Sequence, residues 1–195
     1  SYQYNEAHAA HRARRAAERS GVPTLTLDTL EDWLLTQGIG SDKHELLLVD
    51  GLLGSGFDPE RPLSPVLTQH LQSIDDLRQD GATVLAVDLP SGIDADSGQA
   101  TDLAVRADIT VSFLAPKQGC VTWPGRGHCG ELRTAGLGLP ADWWQAVAAE
   151  ARTQHAQTPV RWITADSLQA RVPTRAADAH KGTQGHVLIL AGSPA

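Results

Sequence analysis

The chain has 195 residues, with 16 Lys and Arg against 23 Asp and Glu, for a formal net charge of −7. Its length leaves room for one domain with a substantial core, and 41% hydrophobic against 20% charged residues rules out a disordered polymer. The acidic balance argues against a nucleic-acid groove, no apolar run reaches the roughly 18–20 residues of a membrane span, and the polar, Arg-rich stretch Ser1 to Arg19 does not read as a secretory signal.

In chain order, Asn5 to Ser20 is Ala-rich with scattered Arg and Glu. It predicts a surface helix, ended by Gly21 and Pro23. His8, His11 and Arg12 to Arg15 read as its solvated face. Thr24 to Leu27 predicts a short strand. Asp28 or Thr29 would cap a helix through Leu35, closed by Gly38 and Gly40.

Glu45-Leu-Leu-Leu-Val-Asp50 is a continuous apolar run that ends in a carboxylate. It predicts a strand of a parallel sheet, buried on both faces. Thr83-Val-Leu-Ala-Val-Asp88 repeats the pattern. Between them, apolar residues at 66, 67, 71, 74 and 77 predict a helix over Ser64 to Gln79. Ala107 to Leu114 and, more weakly, Gly130 to Thr134 predict further strands. The connections from Gly92 to Arg106 and from Ala115 to His128 are rich in turn residues.

After Pro140 the composition shifts. Ala141 to Thr153 predicts an Ala-rich helix, with Trp143 and Trp144 near its start as an edge of core packing. His155 to Pro159 reads as a linker, and a short helix is expected around Asp166 to Ala170. Ala176 to Gly185 is polar, and His186 to Ala191 has a buried-strand pattern. The sequence contains no methionine, and a strand so near Ala195 has no crossover after it. The chain is therefore expected to be part of a longer one.

The main chemical signal is a pair of strand-ending carboxylates, each followed by a glycine-containing loop. In an open parallel sheet, ligands bind in the crevice at the carboxyl ends of the strands. Asp50 and Asp88 would face one crevice. Gly54-Ser-Gly56 would let backbone N–H groups approach an anion or polar ligand. Oxygen ligands from such loops also suit an alkali or alkaline-earth ion. The plainer reading is that both carboxylates only cap the loops that follow them. The spaced glycines of a dinucleotide fingerprint are absent after either strand.

Three segments occur in this order: Val49-Asp-Gly-Leu-Leu-Gly-Ser-Gly56, Ala86-Val-Asp-Leu-Pro-Ser-Gly-Ile-Asp-Ala-Asp-Ser-Gly98, and Ala107-Asp-Ile-Thr-Val-Ser-Phe-Leu-Ala-Pro-Lys-Gln-Gly119. Together they closely resemble the NAD(P)H-hydrate epimerase domain of the bifunctional NAD(P)H-hydrate repair enzymes. His180-Lys-Gly-Thr-Gln-Gly185, with the strand that follows and Gly192-Ser193, resembles the opening of the kinase-like dehydratase domain of those enzymes.

The resemblance implies a Rossmann-like three-layer α/β/α fold with a mainly parallel sheet, incomplete at its N-terminus. It implies residues 1–140 as the later part of the epimerase domain, 141–179 as helix and linker, and 180–195 as the first strand of the dehydratase domain. The implied reaction is epimerisation of the R and S forms of hydrated NADH or NADPH. A second domain would dehydrate the S form with ADP or ATP. By resemblance, Asp50 and Ser91 ligate a potassium ion. Gly54, Ser55, Gly56, Phe57, Asp58, Pro59 and Glu60 contact the hydrated dinucleotide, and Asp88 contacts the substrate. The family's Asn-Asn-Gly-Gly-Asp phosphate loop is absent from these residues, so the chain by itself is expected to have little epimerase activity. The partner is a small molecule, with no nucleic acid and no membrane, and the resemblance is compatible with a homo-oligomer.

Asp88 would stabilise positive charge on the ring and shuttle a proton. Lys117 follows a strand at the same edge and would pair with a carboxylate; otherwise it is an exposed loop lysine. Cys120 and Cys129 make no disulfide framework and read as free thiols of a reducing cytoplasm. With His128 they do not have zinc spacing. His180 and Lys181 read as an exposed linker. The alternative function is a non-catalytic scaffold or protein-binding domain of the same superfamily. A third is another nucleotide-binding α/β enzyme using the same crevice.

Overall fold

The computed structural model describes residues 9–39 and 45–140, then 142–143, 146–147, 149–150, 163–169, 171–172, 177–180, 182 and 188. Contacts divide the chain into two compact units, residues 1–144 and 145–195.

In the first unit, α1 runs over Ala9–Arg19 and α2 over Leu27–Thr36. The strand expected at 24–27 is not formed. Thr26 is instead the N-cap of α2, with Leu27 as its first helical residue. The Thr29 hydroxyl accepts from the Thr26 N–H at 3.2 Å, so this backbone donor is used by the cap. Asp28 lies in the first turn and is not the cap.

Four strands follow: β1 (Leu47–Asp50), β2 (Thr83–Val87), β3 (Ile109–Phe113) and β4 (Glu131–Ala135). They form one all-parallel sheet in the order β1-β2-β3-β4. With helices on such a sheet, this is a Rossmann-like α/β fold. Parallel pairing brings all four carboxyl ends to one edge. Asp50 is in register with Ala86, and Phe113 with Ala135.

Helix α3 (Pro65–Gln79) makes the crossover from β1 to β2. Ser64 caps it by accepting from the Leu67 N–H at 3.3 Å, and Pro65 occupies a first-turn position where its missing N–H costs nothing. Gly81, at φ 105°, ends the helix. The Ala82 N–H returns to the Leu77 carbonyl and the Gly81 N–H to Arg78, both at 3.0 Å. This αL turn suits glycine. Leu67, Leu71 and Ile74 form the apolar stripe of α3, packed on Leu48, Val84, Ala86, Val105 and Ala107. Leu71 is only 1% exposed, so Leu71→Ala would cost about 2–5 kcal/mol.

The strands are covered less completely than their apolar runs predict. Val84, Ala86, Thr110 and Ser112 are buried on one face. Leu47 and Val49 on the other face of β1 are 55% and 62% exposed.

No α-helix joins β2 to β3 or β3 to β4. Residues 88–108 fold as turns around Asp94, and two 3-10 turns, Gln118–Cys120 and Gly125–His128, precede β4. These segments enclose a second core of Leu89, Ile93, Ala95, Ala104, Cys120 and Cys129. Gly119 sits where the two segments meet. Its N–H donates to the Ala95 carbonyl at 2.7 Å, and a Cβ there would overlap the Asp94 carbonyl oxygen.

In the second unit, a short helix spans Ala165–Gln169. Thr164 and Ser167 cap it reciprocally: the Thr164 N–H donates to Ser167 Oγ at 3.0 Å and the Ser167 N–H to Thr164 Oγ1 at 3.3 Å. The described residues within 142–150 are helical. The linker expected at 155–159 lies outside the described residues, as does the strand at 186–191 apart from Leu188. No helix among the described residues is long and apolar enough to cross a membrane.

Candidate active site

The carboxyl edge of the sheet holds two interlocked pairs. In the first, Asp50 ends β1 and is 1% exposed, as is Ser91. The Ser91 N–H donates to Asp50 Oδ2 at 2.8 Å and its hydroxyl donates to Oδ1 at 2.6 Å. The Leu52 N–H reaches Oδ1 at 3.3 Å, and the Leu53 N–H donates to Ser91 Oγ at 2.9 Å. The loop after β1 is thereby tied to the loop after β2. A buried carboxylate is tolerated only with such donors.

The second pair is Asp88 and Lys117. Asp88 follows β2 at φ 73°. It is the centre of a three-residue turn closed by the Leu89 N–H on the Val87 carbonyl at 3.0 Å, a strained γ-turn. Its own N–H donates to the Val111 carbonyl at 2.9 Å. Asp88 Oδ1 accepts from the Phe113 N–H at 2.9 Å and from Lys117 Nζ. Lys117 also donates to the Phe113 carbonyl at 3.1 Å. Both side chains of the pair are 22% exposed. Both hydrogen bonds to this carboxylate fall on Oδ1, which leaves Oδ2 as its unbonded oxygen.

The loop after β1 is built by turns. The Phe57 N–H donates to the Gly54 carbonyl at 3.0 Å, and the Glu60 N–H to Asp58 Oδ1 at 2.9 Å. Gly54, Gly56, Phe57 and Asp58 line an open hollow of about 510 Å³ beside the start of α3. Ser55, Pro59, Glu60, Asp88 and Lys117 are not part of its lining. Arg61, outside the residues the sequence singles out, also lines the hollow. The Phe113 peptide N–H, which binds Asp88, is invisible in the sequence because a backbone donor leaves no mark in residue type.

The donor set at Asp50 and Ser91 fits an alkali cation chemically. It offers two hard oxygens, carboxylate and hydroxyl, and Asp50 Oδ2 and Ser91 Oγ each accept only one hydrogen bond here. Elsewhere, His128 Nδ1 faces the Val105 carbonyl at 3.2 Å and Cys129 Sγ the Gly125 carbonyl at 3.3 Å. Among the described residues no three His, Cys, Asp or Glu side chains gather as a metal site. Cys120 and Cys129 are free and buried. The hydrogen bond with Cys129, and then burial, push the Cys120 thiol well above its ordinary value. Trp143 is 42% exposed; Trp144 and Lys181 lie outside the described residues.

Residues 2–119 match the family described as YjeF-related protein N-terminus. A bifunctional NAD(P)H-hydrate repair enzyme of Coxiella burnetii is 38% identical over 184 residues, 94% of this chain and 33% of that protein. One from Moorella thermoacetica is 36% identical over 154 residues, 76% of this chain and 25% of that protein. An NAD(P)H-hydrate epimerase of Pirellula staleyi is 42% identical over 93 residues, 48% of this chain and 39% of that protein. The chain thus spans about a third of the length of these relatives.

Proposed function

The chain belongs to the YjeF-related N-terminal family, and from that premise we propose that it carries the epimerase chemistry of NAD(P)H-hydrate repair. The substrate is hydrated NADH or NADPH, and the reaction interconverts its R and S epimers. The observation that carries this reading is the Asp88–Lys117 pair. A carboxylate is held at positive φ, anchored through one oxygen and unbonded at the other, at the crevice edge of a parallel sheet. Strain of this kind collects at functional sites. A scaffold has no use for it.

Inversion at the hydroxylated ring carbon requires a bond at that carbon to break and re-form on the other face. The bond is either C–O, with loss and return of water, or ring C–N, with opening and closing, and Asp88 serves the first. The ring passes through a cationic, enamine-stabilised species. Asp88 Oδ2 opposes that charge and holds the proton exchanged with the departing and returning water. Lys117 and the Phe113 N–H fix Oδ1 so that Oδ2 keeps its place. Gly54 to Glu60, with Arg61, supply the surface against which the dinucleotide lies. Potassium, when bound, would be held by Asp50 and Ser91 and would offset the negative charge of this edge.

Residues 1–140 are taken as the later part of the epimerase domain, 141–179 as helix and linker, and 180–195 as the start of a kinase-like dehydratase using ADP or ATP. The division after residue 144 supports a boundary near 140. A cytoplasmic setting fits two buried free thiols.

The test is an epimerisation assay on this chain and on a polypeptide as long as its relatives, starting from one purified epimer of hydrated NADH. Appearance of the other epimer faster than in buffer is expected from the longer polypeptide. No acceleration by either protein would overturn the reading.

A further inference from the structure

We propose that Leu114 is a positioning residue, whose backbone turn folds the end of β3 back so that Lys117 reaches Asp88. The neighbouring strands β2 and β3 end in the same way. After β2 the turn is centred on Asp88. After β3 it is centred on Leu114, at φ 67°, with the Ala115 N–H on the Phe113 carbonyl at 2.8 Å. Aspartate tolerates positive φ, whereas a bulky residue such as leucine rarely adopts it. Such a conformation persists only where the surroundings hold it. The Leu114 N–H donates to the Ala135 carbonyl of β4 at 2.9 Å, which supplies part of that hold.

The turn has a geometric consequence. An extended strand advances about 3.3 Å per residue, so Lys117 would otherwise stand roughly 13 Å beyond Phe113. Instead its Nζ returns to the Phe113 carbonyl at 3.1 Å and to Asp88. Phe113 also donates its N–H to the same Asp88 oxygen, at 2.9 Å. Phe113, Lys117 and Asp88 thus close a ring of hydrogen bonds, with Leu114 as its hinge. Pro116 contributes by restricting Ala115 to extended backbone. The backbone of Leu114 makes the reversal. The inference rests on the proposed function only in taking Asp88 and Lys117 as the reacting pair.

The experiment is zero-length cross-linking of the 195-residue chain with a water-soluble carbodiimide. The Asp88 carboxyl and the Lys117 amine join as an amide with loss of one water, which the carbodiimide takes up, and peptide mass spectrometry reads the yield. Leu114→Gly, free to adopt positive φ, is expected to keep the wild-type yield. Leu114→Val, β-branched and resistant to that backbone, is expected to lose at least about fivefold. Equal yields in wild type and Leu114→Val overturn the proposal, as does a loss in Leu114→Gly that matches Leu114→Val. If Leu114→Val does not fold, the comparison of Leu114→Gly with Leu114→Ala decides. Gly should melt above Ala at a positive-φ site, and the reverse order overturns the proposal.

In the longer polypeptide, Leu114→Val should lower kcat by about tenfold and leave KM within about twofold. Loss of the cross-link with kcat intact would keep the positioning role and remove Asp88 and Lys117 from the chemistry.

Discussion

Ser91 gives both of its hydrogen-bond donors to Asp50, one to each carboxylate oxygen, across 41 residues of chain. The pair joins two loops that sequence separates and the sheet edge reunites. Ser91→Ala removes a donor from a buried carboxylate and an acceptor from the Leu53 N–H. A loss of about 1.5–3 kcal/mol in urea unfolding is expected. A loss below about 0.5 kcal/mol would mean that water replaces the hydroxyl without penalty. Asp50→Ala should cost more, because it orphans the Ser91 N–H as well. If potassium binds here, melting of the longer polypeptide should rise in potassium relative to tetramethylammonium, and Asp50→Ala should abolish the difference.

Asp88→Asn keeps the shape, and asparagine also tolerates positive φ. It removes the charge and the proton acceptor. Epimerisation should slow by roughly 10²-fold or more in the longer polypeptide, with little change in its melting. A change of under about threefold would place the chemistry elsewhere.

Much of this edge is legible in the residues themselves. A run such as Leu46 to Val49 that stops at a carboxylate places Asp50 at the end of a parallel strand, and the same holds for Asp88. Other features are not legible. The run that places Asp50 also implies burial on both faces, yet Leu47 and Val49 are largely exposed, because apolarity does not state what covers it. Thr24 to Leu27 alternates like a strand, but the Thr29 hydroxyl captures the Thr26 N–H, and a cap prevails over propensity. Nothing in a leucine announces positive φ, so the turn at Leu114 emerges only from the packed structure.

Asp94 gives a pH dependence with a definite sign. The Ser97 hydroxyl, then the Ser97 and Asp96 N–H groups, hold its carboxyl below the ordinary value. Its folded pKa is therefore lower than its unfolded one, near 3.9. The stabilisation is fully present above that unfolded value and is lost as pH falls through the folded one. Asp94→Asn should flatten the acid limb of a stability-against-pH curve below about pH 4. An unchanged acid limb would show that the turn does not discriminate between the charged and neutral forms.

Gly119→Ala forces a methyl against the Asp94 carbonyl, a backbone atom that cannot swing aside as a side chain would. Overpacking of this kind costs about 1–3 kcal/mol. Thermal unfolding checks it, and a melting temperature equal to wild type would mean that the 94–98 turn shifts freely.

Cys120 and Cys129 should resist iodoacetamide at pH 8 in the folded chain and react when it is unfolded in urea. The hydrogen bond with Cys129, and then burial, keep Cys120 protonated, whereas the Cys129 thiol, held below its ordinary value chiefly by that same hydrogen bond, is protected by burial alone. Rapid native alkylation of Cys120 would show that the core of Leu89 and Ile93 opens.

The order of the sheet repeats the order of the chain. Each strand after the first therefore docks on one already synthesised, and none waits for a later partner. As the polypeptide leaves the ribosome, the sheet can grow by accretion at one side, in the direction of translation. A pause after β2 or β3 leaves no gap between strands to be filled. Vectorial growth of this kind spares a parallel sheet part of the search among distant pairings that makes such topologies slow to fold.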